Sequence, residues 1–228
     1  MKKAPLVLVS GLLSSDTLWE HQVRHLRDVT SSIQVVSPIQ NTPELMVQEI
    51  LGKAPPVFAL AGHSMGGWLC LEIMRTAPSR VSKLCLVNTT ARDDSKEKKE
   101  NRQKMILQAK EGRFSNVVKE LVGKLVLNAA VKKDVEKMFL EVGKEALISQ
   151  EEAMLMRKET LPILPGIACP TLVIHAAQDK NFSFEEHEEL VERIPHAKLA
   201  IVEDSGHMSP LEMPQAITAL LRCWLTWL

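Results

Sequence analysis

The chain has 228 residues, 45% of them hydrophobic, enough to bury the core of one large domain or two small ones. Its 28 basic and 28 acidic side chains cancel, so no overall field draws it to nucleic acid or an anionic membrane, and neither is expected as a partner. No apolar stretch is long enough to span a bilayer.

Met1-Lys2-Lys3-Ala4-Pro5 leads into Leu6-Val7-Leu8-Val9. Lysines before an apolar run can mark a secretory leader. This run is short and no small-residue cleavage site follows it, so a strand is expected instead. An amphipathic stretch from Asp16 to Val29 predicts a helix, and Ile33 to Val36 a second strand. A helix from about Pro43 to Leu51 precedes a third strand, Val57 to Ala61. That strand leads through Ser64 into a helix ending near Thr76, and Val81 to Val87 is a fourth strand. Further on come a strand at Thr171 to Ile174, a helix from about Phe184 to Ile194, a strand at Lys198 to Val202 and a last helix from Pro210 to Trp227. Short apolar strands alternating with helices predict an α/β fold, a parallel sheet buried on both faces.

Between about Ala91 and Leu164 no strand pattern occurs. A charge-rich block, Asp93-Asp94-Ser95-Lys96-Glu97-Lys98-Lys99-Glu100, is followed by apolar stripes at helical spacing, among them Met105/Ile106/Ala109 and Val135/Met138/Phe139. Several helices laid over the end of the sheet are expected, with the charge block as a solvated face. The expected division is a core at 1–90 and 165–228 and a helical region at 91–164. Cys70, Cys85, Cys169 and Cys223 lie in apolar segments without paired spacing. They read as buried free thiols of a cytoplasmic protein, with no metal site.

The chemistry centres on Gly62-His63-Ser64-Met65-Gly66-Gly67, a G-x-S-x-G pattern where a strand gives way to a helix. A serine on so sharp a turn presents its Oγ as a nucleophile, and small flanking residues let the neighbouring backbones approach. It needs a base, and the base needs an orienting acid. Asp179 follows the fifth strand and His207 the sixth, so all three fall on one edge of the sheet, where ligands of open α/β sheets bind. Asp204 is too near His207 in sequence to orient it without an unusual backbone path. His63 is expected to pack against loops, His175 stands out of order, and His21, His25, His187 and His196 are assigned surface or core roles. Oxyanion donors are expected from the N–H of Met65, after the nucleophile, and from the N–H of Leu12 beyond Gly11. Leu13, Trp68, Met138, Met154 and Met156 are candidates to line an apolar substrate surface.

These segments resemble the α/β-hydrolase superfamily over nearly the whole chain, through Val9-Ser10-Gly11-Leu12, the Ser64 elbow, Ala176-Ala177-Gln178-Asp179 and Ser205-Gly206-His207 through Pro214. The chain looks like the small, cofactor-free bacterial carboxylesterases, lactonases and C-C hydrolases. Serine at the elbow, rather than aspartate, sets it apart from haloalkane dehalogenases and epoxide hydrolases. The resemblance implies a Ser64–Asp179–His207 triad, a cap after the fourth strand, and acyl transfer from a small apolar ester-type substrate (carboxylester, thioester or lactone) by a monomer or homodimer. Relatives using the same groups as small-molecule sensors or as C-C hydrolases or lyases are the alternatives. Three departures stand out: Ser10-Gly11 replaces the usual His-Gly, the glycine-rich segment after the second strand is replaced by Ser37 to Pro43, and no N-terminal antiparallel hairpin is expected. Six strands, all parallel, follow.

Overall fold

The computed structural model describes residues 3–227; Met1, Lys2 and Leu228, which the expected core spans include, lie outside the described residues. Six strands form one sheet: β1 (Leu6–Val9), β2 (Ile33–Val36), β3 (Phe58–His63), β4 (Val81–Val87), β5 (Thr171–Ala176) and β6 (Lys198–Val202). Their order is β2-β1-β3-β4-β5-β6, and every neighbouring pair is parallel. Each residue of β1, β3 and β5 is buried. Such strands carry no alternation, because helices cover both faces. The edge strands β2 and β6 carry exposed residues, Gln34 and Lys198 among them.

Among the described residues ten α-helices accompany the strands: α1 (Glu20–His25), α2 (Pro43–Lys53), α3 (Met65–Thr76), α4 (Lys96–Lys110), α5 (Phe114–Leu125), α6 (Lys132–Val142), α7 (Lys144–Leu155), α8 (Phe184–Arg193), α9 (Ser209–Glu212) and α10 (Pro214–Trp227). One core, around Val7, Val9, Leu60, Leu86 and Val173, lies under α2, α3 and α8. The other, around Leu6, Leu8, Ala61, Trp19 and Trp224, lies under α1 and α10. The stripes of α4, α5 and α6 join this second core through Ala109, Val118 and Phe139. The chain leaves β1 toward one edge and then crosses to β3 for the rest of the sheet. This switch between β1 and β3 opens a crevice at their carboxyl ends.

Three expectations are corrected in detail. The helix expected from Asp16 to Val29 is a 3-10 turn at Asp16–Trp19 followed by the six-residue α1, because the Thr30 hydroxyl and the Val29 N–H both turn back to the Leu26 carbonyl. The last helix is broken before Pro214, which has no N–H to continue the ladder. Cys70 and Cys85 are buried free thiols, but Cys169 is half-buried and Cys223 is exposed, the latter on the outer face of α10. No helix among the described residues is long and apolar enough to cross a membrane.

Candidate active site

Ser64 joins β3 to α3 with φ 56° and ψ −120°, a backbone region that a side chain normally avoids. The turn is held on all sides. The Ser64 N–H donates to the Val87 carbonyl at 3.0 Å, and the Ser64 carbonyl accepts from the Thr89 hydroxyl at 2.8 Å. Close approach dictates the flanking glycines. A Cβ on Gly62 would lie 2.3 Å from the Gly66 carbonyl oxygen, and one on Gly66 would lie 2.4 Å from that of Val9.

His207 stands beside this turn. The Ser64 hydroxyl donates to His207 Nε2 at 2.8 Å, and His207 Nδ1–H donates to Asp179 Oδ2 at 2.8 Å. The second carboxylate oxygen accepts the Asn181 N–H at 2.7 Å. Burial pushes the Asp179 carboxyl up, but the charge and hydrogen bond of His207 and the Asn181 N–H together hold it below the usual range. Asp179 is therefore a carboxylate able to fix the imidazole tautomer.

The loop carrying His207 is clamped. Its own N–H donates to the Leu125 carbonyl at 3.0 Å, and Asn88 Nδ2 donates to the Gly206 and His207 carbonyls at 3.3 and 3.0 Å. Buried Glu212 accepts the N–H groups of Leu127, Asn128 and Met208. His63 Nε2–H donates to the His207 carbonyl at 2.7 Å, its ring 4.9 Å from that of His207. Burial, aided by the neighbouring His207, lowers its pKa to about 3, so His63 is a neutral packing group. His187 is likewise neutral: burial brings it to about 4, and it joins the Thr89 N–H to the Ser183 carbonyl. The His175 ring lies 4.5 Å from that of His187, tilted 50° to it, and does not line the cleft of Ser64. Asp204 is exposed, with φ 55°, and makes no hydrogen bond to His207.

The N–H groups of Leu12 and Met65 are used in no hydrogen bond among the described residues, and both residues border the cleft holding Ser64 and His207. Leu13, at φ 53°, is pinned: its N–H donates to Gln150 Oε1 at 2.9 Å. Gln150 reaches there from α7, and its Nε2 donates to the Pro38 carbonyl at 2.8 Å. The Ser37 hydroxyl donates to Ser10 Oγ at 3.0 Å. The two sequence departures, Ser10 and the Ser37–Pro43 segment, thus support one another.

The cleft has a volume of about 110 Å³ and opens to solvent. Of the apolar candidates, Met154 lines it and four do not. Leu13 and Trp68 are turned wholly into the core, Trp68 against the Arg157 guanidinium. Met138 borders a separate surface groove with His21 and Leu211, and Met156 is half exposed beyond the end of α7. The true lining adds Met105, Leu121 and Phe182, but also Asp94, Lys98, Arg102, Lys124 and Glu151. The expected apolar surface is therefore mixed, and part of the charge block read as solvated faces the cleft. No spacing in the sequence signalled this, because Arg102 finds its partners 8 and 49 residues away.

Residues 6–220 match the sequence profile of the alpha/beta hydrolase family. Among solved structures, an esterase from Thermogutta terrifontis covers 98% of the chain with 90% of its own length, at 27% identity and a TM-score of 0.89. The enol-lactonase of Burkholderia xenovorans LB400 covers 99% with 92% of its own, at 22% identity and a TM-score of 0.87, a likeness of fold. Mouse Protein ABHD8 is 33% identical over 61 residues, a stretch that is 27% of this chain and 14% of the mouse protein. With the sheet order, the strained turn at Ser64 and a profile match over nearly its full length, the chain belongs to the alpha/beta hydrolase family.

Proposed function

We propose that the protein is a serine hydrolase that cleaves a small carboxylester, thioester or lactone through an acyl-enzyme intermediate. The observation that carries this reading is the unbroken chain Ser64 Oγ–His207–Asp179, two hydrogen bonds of 2.8 Å each, beside two unused backbone N–H groups. His207 Nε2 takes the Ser64 proton as Oγ attacks the carbonyl carbon, and Asp179 stabilises the imidazolium. The N–H groups of Leu12 and Met65 hold the oxyanion. Collapse expels the leaving group, which receives the proton from His207. Water then attacks the acyl group, giving a proton to His207, and Ser64 leaves with it.

Likeness to the T. terrifontis esterase supports an ester-type substrate over a carbon acid. On this reading α4 to α7 are a cap, and the four free thiols suit a reducing cytoplasm. Fluorophosphonate labelling followed by peptide mapping tests the nucleophile. Labelling at Ser64, abolished together with 4-nitrophenyl ester turnover in Ser64→Ala, is expected. Full activity in that variant overturns the assignment.

A further inference from the structure

Asp94, Arg102 and Glu151 form an ion cluster in one wall of the cleft. Arg102 Nε donates to Asp94 Oδ2 at 2.6 Å, and Nη1 donates to Glu151 Oε2 at 2.7 Å. The Asp94 and Glu151 side chains are 2% and 0% exposed, whereas that of Arg102 keeps 15%. Its third nitrogen, Nη2, donates to no group among the described residues, yet it is not one of the side-chain atoms sealed from solvent. The guanidinium is thus held on two sides through Nε–H and one Nη1–H, and its other three N–H groups, one on Nη1 and two on Nη2, make no hydrogen bond among the described residues; the side chain borders the same cleft as Ser64 and His207. Burying such a cluster for stability alone is a poor bargain, because apolar packing of the same volume does as well or better.

Charge in the cleft points the same way. Lys98 Nζ rests over the Phe182 ring at 5.0 Å, and that ring lies 5.6 Å from the ring of His207. Neither Lys98 nor Lys124 pairs with a carboxylate among the described residues, although both line the cleft. Three cations therefore face two carboxylates, and burial pushes Glu151 toward its neutral form against the pull of Arg102. At the lining itself cations outnumber carboxylates, and the remaining carboxylate of the site, Asp179, lies behind His207, which takes its hydrogen bond.

We propose that Arg102, with Lys98 beside it, is a carboxylate-binding subsite, so that the substrate is an ester or lactone bearing a carboxylate remote from the reacting carbonyl. The bond cleaved rests on the reading of Ser64 given above; the subsite does not. The free N–H groups of a pre-oriented guanidinium donate charge-assisted hydrogen bonds to a carboxylate, and the neighbouring ammonium adds its charge.

Two measurements test it. The first compares kcat/KM for the 4-nitrophenyl monoester of adipic acid with that for 4-nitrophenyl hexanoate, which carries a methyl group in place of the terminal carboxylate. The ratio should favour the carboxylate by about tenfold or more, and should fall about tenfold in Lys98→Met and in Arg102→Lys. The second titrates the wild-type protein calorimetrically with the dicarboxylates from glutarate to suberate, and needs no turnover. One of them should bind, and Lys98→Met should weaken it about tenfold. A ratio of one or less in the wild type, with no dicarboxylate bound, overturns the subsite even if Ser64 is labelled and the hexanoate ester is cleaved. Binding weakened by Lys98→Met in a protein whose Ser64 takes no label upholds the subsite and overturns the nucleophile.

Discussion

Gln150 and Leu13, 137 residues apart, are joined by a buried 2.9 Å hydrogen bond from the Leu13 N–H to the Gln150 side-chain oxygen. The bond fixes the loop whose preceding residue, Leu12, is proposed to hold the oxyanion. Replacing Gln150 by methionine keeps the length and leaves the Leu13 N–H and Pro38 carbonyl unpaired, a loss of about 1–3 kcal/mol. For a 4-nitrophenyl ester we expect kcat to fall about tenfold with KM changed less. Affinity for a boronic acid, which mimics the tetrahedral oxyanion, should fall in parallel. A lower Tm with unchanged kcat and inhibitor affinity would reduce Gln150 to a purely structural role.

Asp179→Asn removes the carboxylate that accepts from His207 Nδ1. An amide in its place lets the imidazole take the wrong tautomer, with Nε2 protonated and facing Ser64. Steady-state kinetics should show kcat lowered by roughly 10³–10⁴. A loss under tenfold would mean that another group orients His207.

Acid sensitivity follows from two buried histidines. His63 and His187 have pKa values near 3 and 4 in the fold, against an ordinary 6.5. Between 6.5 and those values the unfolded chain binds more protons than the folded one, so stability rises with pH across this window and is lost as pH falls through it. Each group contributes at most roughly 1.4 kcal/mol per pH unit there. Urea midpoints should be lower at pH 5 than at pH 7.5, and the difference should shrink in His187→Gln. Equal shifts in the variant and the wild type would assign the acid loss to other groups.

Two glycines should respond oppositely to alanine. At Gly66 the new Cβ meets the Val9 carbonyl oxygen at 2.4 Å, and a loss of about 3 kcal/mol or failure to fold is expected. At Gly123, in the body of α5, nothing lies within 4 Å, and a gain of about 0.5–1 kcal/mol is expected. Thermal unfolding of the two variants decides both.

Most of the frame was legible in sequence because each signal was local. The fully buried β1, β3 and β5 read as unbroken apolar runs, and the order of Ser64, Asp179 and His207 followed from which strand each one ends. The cleft wall was not legible. Helical spacing marks Met138 and Trp68 as facing inward, but inward means a core for both. Arg102 takes its partners from 8 and 49 residues away, a pairing set by how α4 lies on α7. Gln150 gave no signal, because its partners, Leu13 and Pro38, belong to two loops 137 and 112 residues earlier in the chain.

The helical insertion is tied to the reacting centre at two separated points. The Leu125 carbonyl at the end of α5 holds the loop of His207, the proposed base, and Gln150 of α7 holds the loop of Leu12, one of the two proposed oxyanion donors. A hinged flap swinging outward would dismantle both at once. On the proposed function, substrate enters through the open side of the cleft, into a centre already assembled. No slow opening step should then limit entry of substrate.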